Sequence, residues 1–190
     1  VYALSGNNPF IGVPEGEPYV FAKFQPETVT ALELGYKGLY LQKALYLDAY
    51  IFHNTYNNFH ARQALVQNPG TTNENRYITV ISAENPVVTY GWAVGADMML
   101  PRGYIAKANI VNNSIDEGAN AGAGFQSRFN TPAYKINLSF GNYHLFNNIG
   151  FNVSWRWQDS FSWQSDFGST VIESYQTLDA QVSVKLPKWS

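Results

Sequence analysis

Two short stretches decide the fold: Tyr134-Lys135-Ile136-Asn137-Leu138-Ser139-Phe140-Gly141 and Phe151-Asn152-Val153-Ser154-Trp155-Arg156-Trp157-Gln158. The first is apolar at every even position and the second at every odd one. A compact turn around Asn147 and Asn148 separates them. Side chains of a strand alternate between the two faces of a sheet, so each arm has one apolar and one polar face. Tyrosine, phenylalanine and two tryptophans lie on the first; lysine, arginine, asparagine and glutamine lie on the second. The open question is whether the apolar face looks into a core or into lipid.

The same alternation recurs along the chain. Leu178, Ala180, Val182, Val184 and Leu186 share one face, as do Tyr90, Trp92, Val94, Ala96, Met98 and Leu100. Leu32, Leu34 and Tyr36 oppose Glu33, Gly35 and Lys37, and Leu45, Leu47, Ala49 and Ile51 oppose Tyr46, Asp48 and Tyr50. With a weaker arm from Tyr104 to Asn112, the pattern predicts an all-β chain of about seven strands, at roughly 29–41, 44–59, 86–100, 103–112, 133–145, 149–159 and 175–186. Residues 77–83 either extend the third strand or pair separately. No segment has a helical period.

Short connections at 41–44, 100–104, 145–149 and after Leu186 alternate with long ones at about 60–85, 113–132 and 160–174. Two short ones repeat a sequence, Met99-Leu100-Pro101-Arg102 and Lys185-Leu186-Pro187-Lys188, in which proline pre-sets a turn. In an antiparallel sheet this puts every short turn at one end and every long loop at the other. One-sided loops with apolar-out, polar-in strands are the pattern of an outer-membrane β-barrel. Aromatics support it: Tyr104, Tyr143, Phe146 and Phe151 lie near the short-turn end, and Tyr56, Phe59, Tyr90, Trp157, Phe161 and Tyr175 towards the other. A soluble β-sandwich or small binding barrel would alternate for the same geometric reason, with the polar face towards water.

Composition narrows the classes. The 190 residues carry a net charge of −2, no cysteine and 16% aromatics. There is no basic patch for nucleic acid and no disulfide or thiolate metal site. No run approaches the roughly 20 apolar residues of a membrane helix, and Val1 to Phe10 does not read as a secretory signal. Seven strands do not close: the first and seventh run the same way, whereas single-chain bacterial barrels are antiparallel with even counts. An eighth strand could come only from Tyr19–Phe24, between Pro18 and Pro26, which is short for a span of about 9–11 residues. A complete eight-stranded adhesin or structural barrel would need that segment to pair with strand 175–186. Otherwise the chain is one side of a larger barrel with open edges, prone to strand pairing with another copy.

The stretch from Phe24 to Gly38, with Pro26-Glu27, Glu33, Gly35 and Lys37 in the spacing P-E-x-x-x-x-x-E-x-G-x-K, resembles a strand opening in the C-terminal half of TonB-dependent outer-membrane receptors. Leu45 to Phe52 followed by Tyr56-Asn57-Asn58-Phe59 is similar to that family's next strand. Thr89-Tyr90-Gly91-Trp92 with Leu100-Pro101, Phe129-Asn130-Thr131-Pro132, and Trp155-Arg156-Trp157-Gln158-Asp159 match later ones. The resemblance runs from about Phe24 to Trp189. It implies a segment of a barrel of about 22 strands, in a Gram-negative outer membrane, that takes up a siderophore-bound iron, haem, cobalamin, another metal complex or an oligosaccharide. The family's plug domain and its TonB-engaging segment are not visible, and the chain stops at Lys188-Trp189-Ser190 rather than on a final barrel strand. Residues 1–190 then belong to one barrel domain, with 1–27 an external loop leading in and 28–190 the strands and loops; the plug and final strands are expected to be missing. The lipid bilayer and, through missing parts, the TonB complex are the implied partners, and no cofactor is implied.

Glu33, Lys37, Asp48, Asp97, Lys107, Lys135, Arg156, Asp179 and Lys185 fall on polar faces, hence towards a lumen. Pairing with one another and with the plug is the plain expectation, because Lys or Arg facing lipid at mid-depth costs about 2–4 kcal/mol. Ligand contacts belong to the long loops that a rigid wall displays. The candidates are Arg62 with Gln63, Arg76, Asn120 to Arg128, and Trp163 to Asp166; Arg62, Arg76, Arg128 and Trp163 are the sharpest. His53, His60 and His144 lack metal-site spacing, and His53 and His60, seven apart, would lie on opposite faces of a regular strand. No Gly-x-Ser-x-Gly occurs, and Asp159-Ser160 alone makes no catalytic case, so no enzyme is expected.

Overall fold

In the computed structural model, residues 24–67, 70–121, 124–146 and 148–186 are described, with the backbone of 3–4 and 19–20. Seven long strands form one antiparallel sheet: β1 Thr28–Tyr40, β2 Leu45–Asn57, β3 Val87–Met99, β4 Tyr104–Asp116, β5 Tyr134–Asn142, β6 Ile149–Gln158 and β7 Tyr175–Val184. Neighbours in sequence are neighbours in space, in the order β7-β6-β5-β4-β3-β2-β1. Each strand lies near the place its alternation predicts. The exception is β4, which continues to Asp116. There Asn112, Asn113 and Ser114 break the apolar pattern, but the Asn112 side chain and the Asn113 N–H both donate to the Ala133 carbonyl, at 3.1 and 2.9 Å.

Register keeps like with like. Leu34 faces Ile51, Ile51 faces Trp92, Val94 faces Ile110, Ile110 faces Ile136, Ile136 faces Trp157, and Trp155 faces Leu178. A one-residue slip would turn each row over, so the pattern excludes odd slips, and the tight turns choose among the alignments that remain. Among the described residues no second layer covers this apolar face. Leu34 is 70% exposed and Val182 72%, whereas Val87, at the root of the loops, is 0%. A soluble sandwich would bury that face; a sheet bathed in hydrocarbon would not. From Tyr90 to Leu100 the chain advances about 33 Å at ~3.3 Å per residue. Tilted by about 40°, this spans roughly 25 Å, the height of a barrel's apolar band.

Aromatics bound the band. At the short-turn end Tyr104 stacks on Phe140 at 5.4 Å, and Phe151 meets both. At the other end Trp92 and Tyr134 meet edge to face at 6.5 Å. Tyr56 and Phe59 do not belong to the outer band: they pack into the cluster beneath the loops. Tyr175 faces Gln158 on the polar side.

The short turns are tight. Ala44 N–H reaches Leu41 carbonyl at 3.1 Å, Leu100 reaches Tyr104 at 2.8 Å, and Leu145 reaches Ile149 at 2.8 Å. Asn142, buried at 1% exposure, ties two of them together. Its amide donates to Arg102 carbonyl at 2.9 Å and its carbonyl accepts from His144 N–H at 2.8 Å. Asn147 and residues 187–190, where a turn tip and the second Leu-Pro repeat were expected, lie outside the described residues.

Tyr19–Val20 bridges Ala3–Leu4 in a separate ladder and does not pair with β7. The eight-stranded closure therefore fails on that segment, residues 21–23 lying outside the described residues, and the sheet stays open between β7 and β1.

Candidate functional site

The long loops are not structureless. His60–Gln67 pairs with Asn75–Ser82, and Phe125–Gln126 adds to its other edge. Residues 77–83 thus pair separately from β3. Phe161–Ser165 and Gly168–Ile172 form a second hairpin. Ala61, Ala83, Val87 and Phe125 are buried between the first sheet and the wall, with Tyr56, Phe59, Ile81 and Ile115 packed around them. This apolar root lets a loop stand as a rigid body on the barrel rim.

Hydrogen bonds then stitch neighbouring loops together. Asn120 exchanges two bonds with the backbone of Asn85, at 2.8 and 3.1 Å. Gly124, at φ 87°, brings its carbonyl to Ala64 N–H at 2.8 Å, and a Cβ there would sit 2.4 Å from the Ala64 oxygen. On the other side, Asn130 reads the backbone of Gln164 as a strand would, donating to its carbonyl at 3.0 Å and accepting from its N–H at 2.8 Å. Gln164 Oε1 accepts from Arg128 N–H at 2.8 Å, and the Arg128 guanidinium is paired with Asp166. Segment 124–130 is therefore held from both flanks.

Of the four sharpest candidates, Arg128 pairs with Asp166, and Arg62 lies across the strand pair from Gln126, two residues before Arg128. The hydrogen bond from Arg128, with the positive fields of Arg128 and Arg62, holds the Asp166 carboxyl below the usual carboxylate range. Trp163 precedes Gln164 on the same hairpin, half exposed, with Phe161 beside it at 6.5 Å between ring centroids. Arg76 does not join them. It pairs with Glu74 at 2.8 Å near the tip of the first hairpin, opposite Val66, about 13 Å along the strand from Arg62. Glu74 also accepts from Gly70 N–H, and that bond, with the one from Arg76, holds its carboxyl below the usual carboxylate range. Arg128 Nε and Gln126 Oε1 are buried without a protein partner. The loop core thus carries an unused donor and an unused acceptor on residues two apart in one segment.

The opposite surface of the wall is a polar ladder. Lys37 meets Asp48 at 3.5 Å, Lys107 meets Asp97 at 2.8 Å, and Arg156 meets Asp179 at 3.6 Å. Tyr46 donates to Asp48 at 3.2 Å, and Ser139, Asn152 and Ser154 form a chain of 2.9 and 3.0 Å bonds. Six of the nine charges assigned to this face are paired with one another. Such exposed pairs add little stability singly, but they keep the face hydrated and electrically balanced. Shallow recesses of ≈ 200 and ≈ 280 Å³ run along Lys135, Arg156 and Thr177 and along Lys107, Asn109 and Ser154.

The histidines stand apart. His53 faces Leu32 and Tyr90 within β2, while the chain turns at Asn58 (φ 54°) so that His60 opens the next strand and stacks on Phe24 at 4.2 Å. Among the described residues no three His, Cys, Asp or Glu side chains gather as a metal site.

A two-faced antiparallel wall with all its elaboration at one end defines a transmembrane β-barrel segment. Over residues 2–190 the chain matches the family described as TonB dependent receptor-like, beta-barrel, and it belongs to that family. Similar solved structures are the siderophore receptor PirA from Acinetobacter baumannii (14% identity, TM-score 0.62, covering 86% of this chain and 26% of that one) and the copper transporter OprC (13%, 0.64, 87% and 24%). FpvA of P. aeruginosa, bound to heterologous pyoverdines, is similar at 16% identity and TM-score 0.55, over 84% and 21%. The chain spans about a quarter of the length of these receptors. No curated protein matches it by sequence.

Proposed function

We propose that this chain is wall and external-loop structure of an outer-membrane receptor that captures a scarce metal complex and passes it inward with energy from TonB. The observation that carries the reading is the uncovered apolar face set against a charge-paired polar face, with all loop sheets at one end. Residues 1–27 lead in at the outer side, 28–190 supply strands and loops, and the plug and remaining strands belong to other parts of the receptor. The reading is non-enzymatic. Siderophore and copper proteins among the similar structures favour a metal or metal-chelate ligand. Arg62, Arg128 and Trp163 offer it two cations from neighbouring loop segments and an aromatic surface; Arg76 would make an outlying contact.

Binding of ferric hydroxamate, ferric catecholate and Cu(II) probes to the receptor carrying this chain tests the reading. Arg62→Ala, Arg128→Ala and Trp163→Ala are each expected to weaken capture of one probe at least ten-fold while circular dichroism keeps its β signal. Capture of every probe unchanged in all three variants would refute the placement of the ligand.

A further inference from the structure

Charge is sorted along the strand axis. Among the described residues the short-turn end holds Lys43, Arg102 and Lys185, the last one residue past β7 at the edge of the polar face to which alternation assigns it, and no carboxylate. The long-loop end holds Glu27, Glu74, Glu84, Asp116, Glu117, Asp159, Asp166 and Glu173 against Arg62, Arg76 and Arg128. Between them the wall is neutral, with four acidic and four basic residues facing the lumen. The sorting is therefore confined to the two ends.

Each basic turn residue also lies within two positions of a leucine: Leu41 and Lys43, Leu100 and Arg102, Leu186 and Lys185. Leu41 and Leu186 are largely exposed, and Phe146 and Tyr143 project from the remaining turn beside His144. These turns follow directly on the aromatic band of Tyr36, Tyr104, Phe140 and Phe151. An apolar side chain beside a cation, just beyond an aromatic belt, is the pairing that seats a surface at a membrane interface: the leucine enters the acyl boundary and the cation meets a headgroup phosphate. Backbone bonds fix these positions: Ala44 N–H to Leu41 carbonyl, Leu100 N–H to Tyr104 carbonyl, and Lys185 N–H to Asn148 carbonyl.

We propose that the short-turn end of this wall is a docking rim for anionic phospholipid headgroups of the phosphatidylglycerol class. Lys43, Arg102 and Lys185 are the contacting cations, with Leu41, Leu100 and Leu186 as their anchors. The proposal rests on the membrane reading above and adds the leaflet chemistry. The acidic loop end would be repelled by the same headgroups, so the rim also biases orientation across the bilayer.

The test uses the receptor carrying this chain in nanodiscs of phosphatidylcholine with and without phosphatidylglycerol. Retained lipid is identified by native mass spectrometry, and tryptophan fluorescence is read in brominated lipid. Wild type should retain phosphatidylglycerol selectively. Lys43→Asn, Arg102→Asn and Lys185→Gln should each lower that selectivity roughly five-fold; asparagine is chosen where φ is 74° and 64° because it tolerates the left-handed region. Lys43→Arg, Arg102→Lys and Lys185→Arg should keep it. Equal retention of both lipids by wild type, or undiminished selectivity in the triple neutral variant, would overturn the rim and leave its charges to a periplasmic protein partner. Tryptophans that brominated lipid fails to quench would instead refute the membrane reading itself.

Discussion

Asn130→Ala is the sharpest perturbation of the loop assembly. Asn130 is the rivet between segment 124–130 and the 161–172 hairpin, through two hydrogen bonds of 3.0 and 2.8 Å to the backbone of Gln164. Each bond contributes about 1 kcal/mol net, so their loss costs about 2 kcal/mol. Asn130 also has φ 42°, and alanine in that region costs about 1 kcal/mol more. The local opening free energy of the hairpin should fall by about 3 kcal/mol, which raises amide exchange roughly 150-fold. Asn130→Gly removes the amide and keeps the backbone freedom, so about 2 kcal/mol and roughly 30-fold are expected. Hydrogen exchange read by mass spectrometry on peptides covering 161–172 measures both. Unchanged exchange across that hairpin in both variants would refute the rivet, whatever happens in 124–130 itself.

Two further outcomes follow from the geometry. Asp166 is held below the ordinary carboxylate value of about 4. Its contribution is thus complete above that value and is lost only as pH falls further, towards the depressed one. Hairpin protection should stay flat from neutral pH to about 4 and drop below it, and Asp166→Asn should abolish the drop; a loss of protection between pH 7 and 5 would contradict the ion pair. On the polar face of β3, a Cβ on Gly91 would meet Asn112 carbonyl at 2.2 Å and the Phe52 ring at 2.9 Å, whereas one on Gly95 finds 3.7 Å of clearance. Gly91→Ala should destabilise by about 3 kcal/mol and Gly95→Ala by less than about 1 kcal/mol, read from urea midpoints of the membrane-inserted protein; equal midpoints would contradict the close approach of β3 and β4.

What the sequence made legible was whatever repeats with period two. The seven wall strands follow from alternation, and so does the face each side chain takes, whereas the alignment that sets Ile51 between Leu34 and Trp92 also needs the turns. The charges of the polar face were equally visible, but their partners were not: only the register makes Lys37 and Asp48, and Asp97 and Lys107, direct cross-strand neighbours. The loop architecture was not. His60–Gln67 reads His-Ala-Arg-Gln-Ala-Leu-Val-Gln, with no alternation, and its two buried residues, Ala61 and Leu65, stand four positions apart with half-buried ones between them. Phe125–Gln126 is a two-residue bridge, too short for any pattern. Asn130 and Gln164 are 34 positions apart, and nothing local marks their meeting. Arg62 and Arg128 were singled out as charged loop residues, but only the fold pairs Arg128 with Asp166 and sets Arg62 opposite Gln126. Arg76 had the same sequence credentials and ended at a hairpin tip.

The central claim is that Leu138, Phe140, Val153 and Trp155 face lipid while Asn137, Ser139, Asn152 and Ser154 face a hydrated lumen. These 190 residues contain no cysteine, so an introduced one is the single thiol within them. Leu138→Cys, Phe140→Cys and Val153→Cys, spin-labelled in bilayers, should relax with dissolved oxygen and not with a water-soluble nickel chelate. Asn137→Cys, Ser139→Cys and Ser154→Cys should show the reverse, giving a period of two along both arms. The inverse pattern, or no alternation at all, would contradict the account.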